Sequence, residues 1–187
     1  MAETGSKLII LDRDGTINED SDVYVKSADE WQPIPGALQA IARLNQAGWR
    51  VVIATNQSGL ARGMFDMTAL NAMHEKMQRL LAIEGGRVDA IFFCPHGPDD
   101  GCHCRKPKPG LFEQIAQRFR VHLQHVPAVG DSLRDLQAAA SAGAIPHLVL
   151  TGKGRKTQAD ADTGIARLPE GTVIHEDLAA FADYLLK

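Results

Sequence analysis

Asp12 and Asp14 stand one residue apart in Asp12-Arg13-Asp14-Gly15-Thr16, directly behind the apolar run Leu8–Leu11. Two carboxylates so spaced offer hard oxygen ligands to a divalent cation, and the glycine after them permits a sharp turn. One of such a pair can also attack phosphorus as a nucleophile. The same residues describe an ordinary Asp-rich turn after a strand, so alone they leave both readings open. Three further polar stretches bear on the choice. Thr55-Asn56-Gln57-Ser58-Gly59 brings a hydroxyl and amides that suit phosphate oxygens or, equally, a helix cap. Arg105-Lys106-Pro107-Lys108-Pro109-Gly110 puts three cations ahead of a helical pattern, and Gly130-Asp131-Ser132-Leu133-Arg134-Asp135 adds a third strand-end carboxylate, Asp131. Asp135 reads as an acid in a helix first turn rather than a direct ligand.

A second chemistry is written into residues 94–104. Cys94, Cys102 and Cys104 lie close together with His96 among them, which is odd for a disulfide framework and natural for a metal clip. Three thiolates and an imidazole form a closed tetrahedral zinc site with no open position, so zinc here is expected to be structural. His103, flanked by Cys102 and Cys104, is expected to point away from an ion those two share.

The elements that must position these residues follow from periodicity. Leu8–Leu11, Trp49–Ala54, Val88–Phe93, Val126–Val129 and His147–Leu150 read as buried strands, with a short sixth at Val173–Ile174. Between them lie helical patterns: one opened by Pro35-Gly36-Ala37 and ended by Gly48, one from an N-cap at Thr68 to about Glu84, then Pro109–Arg120, Ser132–Gly143 and Asp177–Leu186. Ile17–Pro33, Thr55–Asp66 and Thr151–Pro169 read as loops. Strict alternation predicts an α/β fold, a three-layer, doubly wound parallel sheet. The first loop is long enough for a small flap; neither it nor Thr151–Pro169 could hold a separate cap domain, so an open cleft is expected.

The chain has 187 residues, 44% hydrophobic and 23% charged, with a net charge of −3, which fits one globular domain spanning 1–187 with an inserted zinc loop at about 94–104. The mild negative charge argues against a nucleic-acid or membrane partner. No apolar stretch approaches the ~20 residues of a membrane span. Residues 1–6 lack the regions of a signal peptide, so a cytoplasmic address is expected.

In chain order, four strand ends carry Asp-x-Asp, Thr, Lys and Gly-Asp. That set resembles the four-motif signature of the haloacid dehalogenase (HAD) phosphatases. The resemblance implies an HAD-like Rossmannoid fold, Asp12 as nucleophile, Asp14 as general acid/base, Thr55 as phosphate-oxygen donor and Lys106 as charge stabiliser. It further implies a catalytic magnesium ion on Asp12, Asp131 and the Asp14 carbonyl. Choosing Lys106 over Lys108 follows the family pattern Cys-Arg-Lys-Pro. The Cys-x-His…Cys-x-Cys-Arg-Lys-Pro loop is similar to that of two branches, the D-glycero-D-manno-heptose 1,7-bisphosphate 7-phosphatases and the histidinol-phosphate phosphatases. Residues 55–63 and 14–18 resemble the heptose branch, and Ser58 stands where histidinol enzymes typically carry an acid. The five residues between His96 and Cys102 make a loop closer in length to the histidinol branch. The heptose resemblance implies a small-molecule sugar bisphosphate substrate, handled during ADP- or GDP-heptose synthesis for the lipopolysaccharide core. Arg105 would then meet the substrate's remote phosphate or its sugar, with Asn56, Ser58, Asp20, Tyr24 and Ser132 as further contacts; the chain is expected to act as a monomer. A catalytically silent, zinc-stapled phosphosugar- or protein-binding module is the non-enzyme alternative, and the intact Asp12 and Asp14 argue against it.

Overall fold

The computed structural model describes residues 7–187; residues 1–6, on which the reading of no targeting segment rests, lie outside them. Strand β1 (Leu8–Leu11) is buried on both faces, each of its four side chains being at most 1% exposed. Burying a side chain of this kind is worth ~2 kcal/mol, so the strand is pinned at the centre of the molecule. It pairs in parallel with β2 (Arg50–Asn56) on one side and β4 (Pro127–Gly130) on the other. With β3 (Ala90–Cys94), β5 (Ile145–Val149) and β6 (Val173–His175), the sheet has six parallel strands in the order β3-β2-β1-β4-β5-β6.

The pleat sorts β1 between two cores. Ile9 and Leu11 pack with Leu38, Ile41 and Leu44 of α1 (Ala37–Gln46), Met73 and Met77 of α2 (Met67–Ile83) and Phe181 of α6 (Leu178–Leu185). Leu8 and Ile10 pack with Leu111 and Ile115 of α3 (Gly110–Phe119) and with Ala138 and Ala139 of α4 (Leu133–Ser141). This is the expected three-layer, doubly wound arrangement. Its consequence is a topological switch: the chain runs outward from β1 to β3, then returns to β4 and runs the other way. In open parallel sheets, ligands bind in the crevice beyond the carboxyl ends of the strands at that switch.

Three sequence readings need correction. Thr55 and Asn56 belong to β2, paired with Phe93 and Cys94, and are not the start of a loop. The N-cap of α2 is Asp66, whose carboxylate accepts from the Ala69 N–H at 2.9 Å; Thr68 lies inside the first turn. Thr151–Pro169 contains a helix, α5 (Gly154–Asp162), which buries only Gly154 and Thr157. A helix that polar lacks the apolar stripe that periodicity detects.

The Ile17–Pro33 stretch forms the anticipated flap. An antiparallel bridge joins Asn18 to Pro33, Trp31 is fully buried, and Lys76 Nζ of α2 donates to the Ala28 and Trp31 carbonyls at 2.7 Å each. Among the described residues, no helix is long and apolar enough to cross a membrane.

Candidate active site

A cleft of about 300 Å³ opens beyond the ends of β1 and β4. Asp12 is the first residue past β1, and its N–H donates to the Val129 carbonyl of β4 at 2.8 Å, which fixes it at the switch point. Lys106 enters from the segment after the cysteine loop, with its side chain 2% exposed. Its ammonium donates to Asp12 Oδ1 at 2.8 Å and to the Ala54 carbonyl at 2.8 Å, and pairs with Asp135 Oδ1 at 2.6 Å. Asn56 holds the Lys106 backbone from both sides: the Lys106 N–H donates to Asn56 Oδ1 at 3.0 Å, and Asn56 Nδ2 donates to the Lys106 carbonyl at 3.1 Å. Asn56 lines the cleft, but its amide is occupied in placing the lysine. Lys108 instead donates to the Cys102 carbonyl at 2.7 Å on the exposed side.

Asp131 faces Asp12 from the end of β4. Its Oδ2 accepts the Lys153 N–H at 2.7 Å, and its carbonyl accepts the Thr157 hydroxyl at 2.9 Å, so α5 and the turn before it secure this residue. Gly15, at φ +83°, lies so close that an added Cβ would stand 2.0 Å from Asp131 Oδ2. The Gly in Asp-x-Asp-Gly is therefore needed both for its left-handed backbone and for the approach of Asp131. Asp135 Oδ2 accepts from the Ser132 N–H at 3.0 Å and from its hydroxyl at 2.5 Å, which makes it the expected first-turn acid of α4. Ser132 is thereby used as a helix cap, with its hydroxyl committed to Asp135.

The charges do not balance. Oxygens of Asp12, Asp131 and Asp135 lie within 4.8 Å of one another, with the Lys106 ammonium among them. Burial pushes the Asp12 carboxyl up to about 7 against the pull of Lys106. Burial and the charges of Asp135 and Asp12 push Asp131 up to about 8. Burial also opposes ionisation of Asp135, yet the ammonium of Lys106 outweighs it and holds Asp135 below the usual carboxylate range. Lys106 itself is held above the ordinary lysine range: burial works against its charge, and the two carboxylates more than compensate. Buried hard oxygen donors with surplus negative charge fit a small divalent cation.

Asp14 is turned away from this crowd, so any share it takes in a cation falls to its backbone carbonyl. Its carboxylate meets the guanidinium of Arg13 and the amides of Asn18 and Gln57. Burial alone would raise its pKa; Arg13 and these donors bring it below the usual carboxylate value. Thr55, also buried, accepts from Gln57 Nε2 at 2.9 Å at the cleft wall. Ser58, Asp20, Tyr24 and Arg105 line the cleft as expected. Asp20 pairs with Lys153 at 3.0 Å, and Arg105 Nη1 donates to the His96 carbonyl at 3.3 Å. Gln57, one of the amides of the 55–59 stretch, also lines it, as do Arg13, Arg62, Arg134 and Lys153, which were not singled out from sequence. Of these four, Arg13 carried a signal, a cation sandwiched between two acids.

The cysteine loop starts on the sheet: Cys94 is the last residue of β3 and fully buried. Cys94 Sγ lies 3.7 Å from Cys102 Sγ, 3.1 Å from Cys104 Sγ and 3.5 Å from His96 Nδ1, and the last is 3.3 Å from Cys104 Sγ. A tetrahedral zinc with bonds of about 2.3 Å to sulfur has ligand–ligand edges of about 3.7 Å, so this quartet is close to the required size. Burial and the neighbouring sulfurs push the Cys94 thiol up to about 12, an ordering that a divalent cation on the thiolates would reverse. His103 points away, to Glu113 at 2.7 Å.

Comparison with known proteins agrees with this geometry. Residues 18–143 match the haloacid dehalogenase-like hydrolase family. The chain is 67% identical over 181 residues to the D-glycero-beta-D-manno-heptose-1,7-bisphosphate 7-phosphatase of Bordetella bronchiseptica, covering 97% of this chain and 98% of that one. A Pseudomonas aeruginosa protein of the same name is 55% identical over 180 residues, covering 96% and 98%. The crystal structure of the B. bronchiseptica D,D-heptose 1,7-bisphosphate phosphatase, complexed with magnesium and phosphate, superposes with a TM-score of 0.93 over 96% of this chain and 98% of that one.

Proposed function

We propose that this chain, which belongs to the haloacid dehalogenase-like hydrolase family and is a phosphoric monoester hydrolase, removes the 7-phosphate of D-glycero-D-manno-heptose 1,7-bisphosphate in the cytoplasm. The observation that carries the chemistry is the Asp12 carboxylate at the switch point, held 2.8 Å from a buried ammonium. The substrate is supported by the heptose enzymes the chain is similar to, which favour that branch over the histidinol one.

Asp12 attacks phosphorus, forming an Oδ–P bond as the bond from phosphorus to the sugar oxygen breaks. Asp14, which Arg13 keeps ionised in the free enzyme against the effect of burial, takes up a proton as the substrate enters and passes it to the departing oxygen. Asp14 then takes a proton from water, which attacks the same phosphorus and returns Asp12 as a free carboxylate with inorganic phosphate. Lys106 and the Thr55 hydroxyl face the charge that builds on the phosphoryl oxygens. A magnesium ion held by Asp12 and Asp131 would neutralise phosphate charge in this site. Cys94, His96, Cys102 and Cys104 would hold a structural zinc, and the loop they close leads directly into Arg105 and Lys106.

Arg105 is the cation placed to grip the second phosphate, since a guanidinium binds such a group through paired hydrogen bonds. Arg105→Ala should therefore lower kcat/KM on the bisphosphate by about 30-fold while changing a simple monophosphate far less, consistent with one charge-assisted contact of ~2 kcal/mol in an open cleft. Equal losses on both would place Arg105 at the reacting phosphate. Higher efficiency of the unmodified enzyme on histidinol phosphate would overturn the substrate assignment.

A further inference from the structure

Arg13 is a guanidinium 1% exposed at a strand end that otherwise gathers carboxylates. Its Nη2 donates to Asp14 Oδ1 at 2.9 Å and Oδ2 at 3.0 Å, and its Nε lies 3.2 Å from each. Nη2 also reaches Gln57 Oε1 at 3.2 Å, and Gln57 Nε2 returns a hydrogen bond to Asp14 Oδ2 at 2.9 Å. Behind the guanidinium, Nη1 lies 3.3 Å from His74 Nε2 on α2. Arginine has no acceptor, so His74 must accept through Nε2 and carry its proton on Nδ1. Burial and the charge of Arg13 keep the ring neutral by pushing its pKa down to about 4. The guanidinium is thus fixed between a helix and a carboxylate.

We propose that Arg13, backed by His74 and braced by Gln57, is the positioning residue for Asp14, and sets where the proton-transferring carboxylate stands relative to the leaving oxygen of the ester. The proposal rests on the reading of Asp14 as general acid/base. A two-point fork fixes both the position and the plane of a carboxylate; a point charge fixes neither. In the step that forms the aspartyl-phosphate, a displaced acid costs rate only where the leaving group needs a proton. A sugar alkoxide is strongly basic and needs one; a nitrophenolate leaves without it. Damage at Arg13 should therefore scale with the basicity of the leaving group. A structural role, or a role in gripping the transferred phosphoryl group, would depress all esters alike.

The test compares kcat/KM of the magnesium-loaded enzyme on the sugar bisphosphate and on 4-nitrophenyl phosphate, because kcat/KM reports the steps up to departure of the leaving group and not the later attack of water, in which Asp14 serves both esters alike. Arg13→Lys should lower kcat/KM on the sugar ester by about 10- to 100-fold, part of the 10²- to 10⁴-fold that a placed acid supplies. On the aryl ester the loss in kcat/KM should stay below about threefold. His74→Leu keeps the guanidinium but removes its rear acceptor; it should show the same pattern more weakly, and it carries the test if Arg13→Lys does not fold. Asp14→Asn checks the premise: equal losses of kcat/KM on both esters in that variant would overturn Asp14 as the acid. A leaving-group-dependent loss in Asp14→Asn, with equal losses on both esters in Arg13→Lys and His74→Leu, would overturn the role of Arg13.

Discussion

The cleft and the cysteine loop are both crowds of ligating groups, and they are built in opposite ways. The cysteine loop draws four donors from residues 94–104, anchored to the sheet at Cys94. The cleft draws Asp12, Lys106 and Asp131 from three separate stretches, brought together because β1 lies beside β4. Neutral thiols and an imidazole can crowd with little electrostatic cost. Three carboxylates cannot: burial first, and then the charges of their neighbours, raise the pKa values of Asp12 and Asp131. A cation in the loop should therefore act on stability, and one in the cleft on chemistry.

The largest effect that would sharpen this contrast is in the cleft. Asp131→Asn should lower kcat on the order of 10³-fold, the scale of losing a preorganised electrostatic group. Asp131, with its folded pKa raised to about 8, opposes folding when ionised: its contribution is present at low pH and lost as pH rises through that value. In chelator at pH 8, Asp131→Asn should therefore melt above the unmodified protein. A variant that loses activity because it melts lower would break the comparison.

The loop should behave in reverse. Cys102→Ser should cost on the order of 3 kcal/mol of stability, as losses at structural metal sites do, while the folded fraction keeps most of its kcat. Elemental analysis of the unmodified protein should give about one zinc per chain, as a four-ligand site requires. A well-folded Cys102→Ser protein with unchanged melting would remove the loop from the account of stability.

The smallest expected effect lies away from both, where His147 Nδ1 and His175 Nε2 sit 2.9 Å apart between β5 and β6. Burial pushes His147 down to about 4 and lowers His175. Both bind protons more readily unfolded, so their contribution is full above about pH 6.5 and lost as pH falls toward 4. His147→Gln keeps a partner for His175 but cannot titrate. It should lose ~1–2 kcal/mol less than the unmodified protein over that window in urea titrations. Identical losses would show that this pair does not govern acid sensitivity here.

What could be seen from sequence divides along the same line. The gathering of Cys94, His96, Cys102 and Cys104 was legible because the four donors are local in the chain. Asp12 and Asp131 were legible because a buried run followed at once by a carboxylate marks a strand end. Arg13, Gln57 and His74 come from a strand end, a loop and a helix, and no spacing connects them. The cap at Ser132 was not legible because a hydroxyl beside a cleft and a hydroxyl capping a helix have the same sequence; the 2.5 Å bond to Asp135 is what shows the cap. α5 escaped because it buries almost nothing.

The central claim is that phosphorus passes through Asp12. Asp14→Asn protein, in which water attack lacks its base, should be mixed with magnesium and 4-nitrophenyl phosphate, whose leaving group needs no acid, quenched in acid within one turnover, digested and analysed by mass spectrometry. The account predicts one added phosphoryl group on the peptide containing Asp12, removed by hydroxylamine as an acyl phosphate is, and absent when Asp12 is also replaced by Asn. Stoichiometric release of phosphate in that turnover with Asp12 unmodified throughout would mean that water attacks the substrate directly, and would contradict the account.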